Sequence, residues 1–183
     1  MLYFLYTQGH DIVSGTAEAY IDIETTGLSP GCDAITVIGI YRRDGEAEQL
    51  IQLVGEEATR DNLASALEGV GTIYTYNGSR FDLPFIAVCL GIDLEARFQH
   101  CDLMHDCWRN NLYGGFKAVE ERLGIPRQLR GISGFHAVLL WWRYRDGGDR
   151  GALATLLEYN REDVVNLRAL REKLACRPGP EWK

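Results

Sequence analysis

The 183 residues, 46% hydrophobic and 25% charged, have the composition of a soluble globular domain with a sizeable core, and fall short of what two full domains usually need. No apolar run approaches a bilayer span, and five cysteines, an odd count with no Cys-x-x-Cys pair, argue against a disulfide framework and a structural zinc site. The net charge of −7 is uneven, with 4 Lys+Arg against 15 Asp+Glu in residues 1–96 and 15 against 11 in residues 97–183, so global charge is weak evidence against a polyanionic partner.

Met1 to Val13 is apolar but lacks a basic n-region and a small-residue cleavage site, which argues against a signal peptide and leaves a cytoplasmic location by default. Three strands are predicted next, Ala17 to Ile23, Ala34 to Tyr41 and Gln49 to Val54, separated by Gly-rich turns at 26–31 and 43–45. That spacing suits an antiparallel meander. Thr59 to Leu67 has helical periodicity, and Thr72 to Tyr76 is a short β-branched and aromatic strand. A strand that leaves a meander through a helix favours a parallel neighbour.

From Asp82 the pattern is helical: Leu83 to Leu90, Met104 to Asn110, Phe116 to Leu123, Phe135 to Arg145 and Ala152 to Leu174. Gly124 reads as a stop signal and Pro126 cannot resume the helix. Trp141 and Trp142, adjacent on a helix, should put one ring in the core and leave the other half-exposed. An exposed Trp142 or Phe135 would mark an interface with a second copy or a separate protein. The tail 177–183 should fray. The whole reads as one α/β (α+β) domain over 1–176, a mixed five- to six-stranded sheet flanked by helices.

Three segments carry acids with a chemical reading. In Tyr20-Ile21-Asp22-Ile23-Glu24 the alternation places Asp22 and Glu24 on one strand face. Two acids there repel unless a cation lies between them, and oxygen ligands alone select hard cations such as Mg²⁺ or Mn²⁺. A solvated edge strand with incidental acids is the bland alternative. Asp82 follows the turn Asn77-Gly78 with Pro84 two residues on, where an N-cap belongs, and capping alone would explain it. Tyr159 and Asp163 stand four apart in the last helix and present a phenol and a carboxylate to one point. Glu162, a step around that helix, is read as solvated. None of the four histidines has a metal-ligand spacing.

Taken in order, Asp-Ile-Glu-Thr-Thr-Gly-Leu at 22–28, Asn-Gly-x-x-Phe-Asp-x-Pro-Phe-Ile at 77–86 and Tyr-Asn-x-x-Asp at 159–163 resemble the three motifs of the DEDD superfamily of 3′-to-5′ exonucleases, which have a ribonuclease H-like fold. Tyr159 four residues before Asp163 resembles the tyrosine subclass. Gly115-Phe116-Lys117-Ala118-Val119-Glu120 with Leu123-Gly124-Ile125-x-Arg127, and His100-Cys101-Asp102-Leu103, are similar to the YprB-like predicted exonucleases.

The resemblance implies a phosphodiesterase that removes nucleoside monophosphates from the 3′ end of DNA or RNA, using two divalent ions, Mg²⁺ or Mn²⁺, held by Asp22, Glu24, Asp82 and Asp163. By the same likeness Asp22 would bridge the ions, Asp82 would act largely through water, and Tyr159 would position the attacking water. Backbone at Thr25 and Thr26 would meet the terminal 3′-hydroxyl, with Leu28 as a wedge. Asn77 and Phe81 are candidates for hydrogen bonding and stacking at the terminal nucleotide of a single strand. Lys117, Arg127 and Arg130 are candidates for phosphate contacts. The rival readings are a catalytically silent nucleic-acid platform of the same fold and a structure-specific endonuclease using the same metals.

Overall fold

A computed structural model of the chain describes residues 16–176; the Met1 to Val13 stretch and the 177–183 tail lie outside them. Five strands form one sheet: β1 (Ala17–Thr25), β2 (Ile35–Asp44), β3 (Ala47–Val54), β4 (Val70–Thr75) and β5 (Gln99–Asp102). Their order is β3-β2-β1-β4-β5. The first three strands pair antiparallel as the meander requires, and β4 and β5 join parallel to β1 and to each other. The mixed sheet is therefore as expected, with five strands.

β1 is central and covered on both faces. Ala17, Ala19, Ile21 and Ile23 point into a core that includes Leu63 of α1 (Arg60–Ala66) and Phe85 and Ile86 of α2 (Asp82–Leu90). On the opposite face Tyr20, with Tyr41 and Tyr74 from neighbouring strands, packs beneath Val164, Leu167 and Leu170 of the long helix α6 (Arg150–Ala175). Also in that layer are α3 (Leu103–Arg109), α4 (Phe116–Leu123) and α5 (Gly134–Gly147). The result is a helix–sheet–helix sandwich, in which each fully buried Leu or Ile contributes about 1.5–3 kcal/mol through removal of apolar surface from water.

Local signals set the ends of these elements. Gly124 follows α4 in the left-handed conformation, φ 64°, as the stop signal implied. The Asp149 side chain accepts from Ala152 N–H (2.9 Å) and so caps α6. Trp141 is buried and Trp142 half-exposed, the division expected of adjacent positions on a packed helix.

The strand β5 has no counterpart in the sequence-based reading. Its four residues, Gln99-His100-Cys101-Asp102, carry no apolar alternation, because the strand lies at the sheet edge. Its register is set by backbone pairing with β4 and by His100 Nε2 against Thr75 Oγ1 (2.9 Å). No helix of the described residues is long and apolar enough to cross a membrane.

Candidate active site

Asp22 and Glu24 leave β1 near its C-terminal end on the α6 face, and Asp163 reaches down from α6. One oxygen from each of the three carboxylates lies within 4.8 Å of the others. Glu24 Oε1 is buried with no hydrogen-bond partner among the described residues. A buried acceptor left open beside two further carboxylates is costly as it stands. An oxygen-only donor set of this size suits a hard divalent cation, and Glu24 Oε1 is the atom such an ion would satisfy.

Asp82 departs from the sequence-based reading. It does not cap α2 from outside: Phe81 is the N-cap residue, without a side-chain cap, and α2 begins at Asp82 itself. The Asp82 carboxylate instead crosses to β1 and accepts from Ile23 N–H (3.1 Å), between the two acids of that strand. It stands outside the group of three oxygens and close enough to act on them electrostatically.

Burial and mutual repulsion raise the proton affinity of all four groups. Burial is the largest cause for Asp22, followed by the charges of Asp163, Asp82 and Glu24, and its pKa lies well above the usual carboxylate range. Glu24 is raised well above that range by burial and then by Asp163 and Asp82. Burial pushes Asp82 up to about 7 despite the Ile23 N–H, and Asp163 up to about 6 despite Arg127. Raised carboxylates gathered in a cleft are what a site built for an ion or for proton transfer has, and what a solvated face lacks.

Tyr159 lies one turn before Asp163 and is buried. Burial, then the charges of Asp163, Glu24 and Asp22, hold its phenol protonated well above the ordinary range. Lys117 donates to Tyr159 Oη (2.9 Å) and to Ile132 O, and lies 4.3 Å from the centre of the Tyr159 ring. Burial lowers the Lys117 pKa, against the pull of Asp163 and Glu24.

The acids sit between two clefts. One, of about 560 Å³, is lined by Thr25, Thr26, Leu28, Asn77, Phe81 and Phe135 among others. The second, of about 460 Å³, is lined by Gly115, Phe116, Lys117 and Ala118. Asp22, Tyr76, Tyr159 and Asp163 border both. Leu28 is 85% exposed at the rim, carried by a loop that folds around Asp33, which accepts from Ser29 N–H (2.9 Å) and Thr26 Oγ1 (3.3 Å).

Asn77 has φ 63°, a left-handed conformation that Asn tolerates. Its turn is held by Asp102, which accepts from Asn77 N–H (2.7 Å), Ser79 Oγ (2.6 Å), Ser79 N–H and Met104 N–H. Burial would raise Asp102, and these donors more than offset it, leaving its pKa below the usual value. Tyr76 stacks on Phe116 with ring centres 5.1 Å apart and ties this turn to the second cleft.

Two sequence-based readings are overturned. Arg127 is not free for a phosphate: its side chain is only 8% exposed and pairs with Glu120 (2.8 Å) and with Asp163. Glu162 is not solvated: at 4% exposure it accepts from Gln128 N–H (2.5 Å) and Leu129 N–H (3.1 Å). Both follow from α6 packing against the segment after α4, which buries acids that a single helix would leave in water. Arg130 is exposed and lines neither cleft.

The sequence-based reading also passed over Asn160, fully buried beside Asp22, and Asp102. The Tyr-Asn pair in the third motif and the His-Cys-Asp-Leu segment were the signals that contained them.

Residues 19–175 match the RNase_H superfamily. The chain belongs to that superfamily. Among known relatives, this RNase_H-superfamily chain is similar to the uncharacterized protein YprB of Bacillus subtilis (strain 168), 27% identical over 166 residues. The matched stretch is 82% of the chain and 40% of YprB, so the chain spans well under half of that relative.

Among solved structures it is similar to the family B DNA polymerase of Pyrobaculum calidifontis, at 18% identity and a TM-score of 0.66 over 87% of the chain and 24% of the polymerase. Brucella melitensis NrnC bound to pGG matches at 22% identity and a TM-score of 0.60, over 93% of the chain and 75% of NrnC. At these identities the likeness is one of RNase_H-type fold.

Proposed function

We propose that the chain is a metal-dependent exonuclease of the tyrosine subclass that hydrolyses the 3′-terminal phosphodiester of single-stranded DNA or RNA and releases nucleoside monophosphates. The observation that carries the reading is the convergence of Asp22, Glu24 and Asp163 within 4.8 Å, with Glu24 Oε1 buried and unpartnered among the described residues. Membership of the RNase_H superfamily supports it, as does the fold shared with NrnC, which binds pGG.

Asp22, Glu24 and Asp163 would hold divalent ions, two by the family resemblance, with Asp82 supporting them from the β1 side. Mg²⁺ or Mn²⁺ bound there supplies the Lewis acidity that phosphodiester hydrolysis needs at neutral pH. The chain's own groups do the positioning. Lys117 already donates to Tyr159 Oη, so the phenol's proton is free to point at a second acceptor, a water or a phosphate oxygen in the cleft. A phenol held protonated by burial orients a nucleophile by donation and does not act as a base.

In the larger cleft Leu28 and Phe81 flank room for a terminal base, with Asn77 able to hydrogen-bond it. Lys117 brings an ammonium to the second cleft, where the next phosphate would lie. Water oxygen would bond to phosphorus as the bond from phosphorus to the 3′ oxygen of the penultimate nucleotide breaks, the water giving up a proton to solvent and the departing 3′ oxygen taking one from it.

The test uses 5′-end-labelled single-stranded DNA and RNA with Mg²⁺ or Mn²⁺. A ladder shortening from the 3′ end, abolished by EDTA and by Asp163→Ala, is expected. Full activity in Asp22→Ala or Asp163→Ala sinks the ligand assignment, and equal cleavage of circular single strands makes the enzyme an endonuclease.

A further inference from the structure

Asp22, Gly39 and Gln52 form one row across three strands: Asp22 pairs with Gly39 in the β1–β2 register, and Gly39 with Gln52 in the β2–β3 register. Side chains in such a row share a face. Because the middle position has none, the row has a slot, and the Asn160 side chain of α6 fills it. A Cβ at position 39 would overlap Asn160 Oδ1.

The two ends of the Asn160 amide are distinguished by their neighbours. Gln52 Nε2 donates to the backbone carbonyl of Leu157 (2.8 Å) and to Asn160 Oδ1 (3.0 Å). A carbonyl can only accept, so the nitrogen end of Gln52 must face it. That leaves Asn160 Oδ1 toward Gln52 and Nδ2 toward β1, where it donates to Asp22 Oδ2 (3.3 Å) and Asp22 O (3.4 Å).

We infer that Gln52 and Asn160 form a positioning relay for Asp22, an ordered pair of amides that presents N–H to one carboxylate oxygen and leaves the other to a divalent cation. The inference rests on the reading of Asp22 as a metal ligand. Outer partners of this kind set the orientation of a ligating carboxylate, and their loss commonly weakens metal binding by about 10–100-fold.

Gln52→Glu separates this relay from plain electrostatics by the sign of its effect. A new negative charge near the acids would by Coulomb attraction tighten cation binding. In the relay, the carboxylate that this substitution introduces can only accept, so it draws Asn160 Nδ2 to itself and turns Oδ1 against Asp22, weakening binding. Mn²⁺ would be titrated calorimetrically into the wild-type chain, Gln52→Glu, Gln52→Met and Asp22→Asn, with thermal melts in EDTA alongside.

The expected result is Asp22-dependent Mn²⁺ binding in the wild type, weakened about tenfold or more in Gln52→Glu and less in Gln52→Met, which removes the donor without reversing it. In EDTA the melting point of Gln52→Met should stay close to wild type while its affinity falls, a pattern that a merely structural role would not give; Gln52→Glu, which adds a charge beside the acids, should melt lower without metal. Binding in Gln52→Glu as tight as wild type or tighter overturns the relay alone. Should Gln52→Glu fail to fold, unchanged affinity in Gln52→Met overturns it instead. Absence of Asp22-dependent binding in the wild type overturns the metal site and the relay with it.

Discussion

At the scale of single residues, the proton affinity of Asp82 has a measurable consequence. An unfolded Asp titrates near 4, whereas burial holds Asp82 at about 7. Between those values the folded chain keeps a proton that the unfolded chain has released, so this group's stabilising contribution is full below pH 4 and is lost as pH rises to about 7. In EDTA, Asp82→Asn should gain on the wild type across that window, with a slope of up to about 1.4 kcal/mol per pH unit. Urea unfolding at pH 4.5 and 7 measures it, and a flat difference would show that the carboxyl is not raised. Glu24→Gln removes the charge, and one of the two oxygens, of the carboxylate left open in the site and should cost Mn²⁺ affinity at least the roughly 10–100-fold expected of an outer partner, read by calorimetry. Asp22 and Glu24 were legible as a pair because strand alternation is a property of the local backbone. The new role of Asp82 was not, since its partner is the backbone of Ile23, 59 residues away.

At the scale of elements, α6 is joined to the sheet and to the segment after α4 by polar contacts that a helical periodicity does not reveal. Gly39→Ala would drive a methyl group into the Asn160 amide. Overpacking of this kind costs about 1–3 kcal/mol, visible as a lowered urea midpoint, and an unchanged midpoint would mean that α6 lifts freely from β2. Arg127 answers Glu120 and Asp163 with Glu162 3.9 Å away, and Asn166 holds Glu120 from below (2.7 Å). Arg127→Met leaves these buried acids without their cation and should destabilise the metal-free chain by about 3–5 kcal/mol; a loss under about 1 kcal/mol would show that the acids protonate at little cost. The helices themselves were readable from period and stop signals, as at Gly124. The strand β5 was not, because edge pairing, rather than any alternation of its four residues, makes it a strand.

At the scale of the whole molecule, folding brings a strand tip, a helix start and a late helix together around repelling carboxylates, so a divalent ion that binds only the folded chain must stabilise it. Mn²⁺ at about 100 times its dissociation constant should add about 2.7 kcal/mol, raising the melting temperature of the wild type and leaving Asp22→Asn unmoved; equal shifts in both would place the ion elsewhere. Read alone, the chain settles the order of the acids, the faces on which Asp22 and Glu24 and then Tyr159 and Asp163 stand, and the mixed sheet beneath them, because periods of two and 3.6 are carried by neighbouring residues. Packing alone settles that Arg127 and Glu162 are buried, that Asp82 reaches across to β1, and that Asn160 fills the space beside Gly39. Those outcomes depend on which surfaces meet, and a charge or amide withdrawn from water takes the partner that the opposing element supplies.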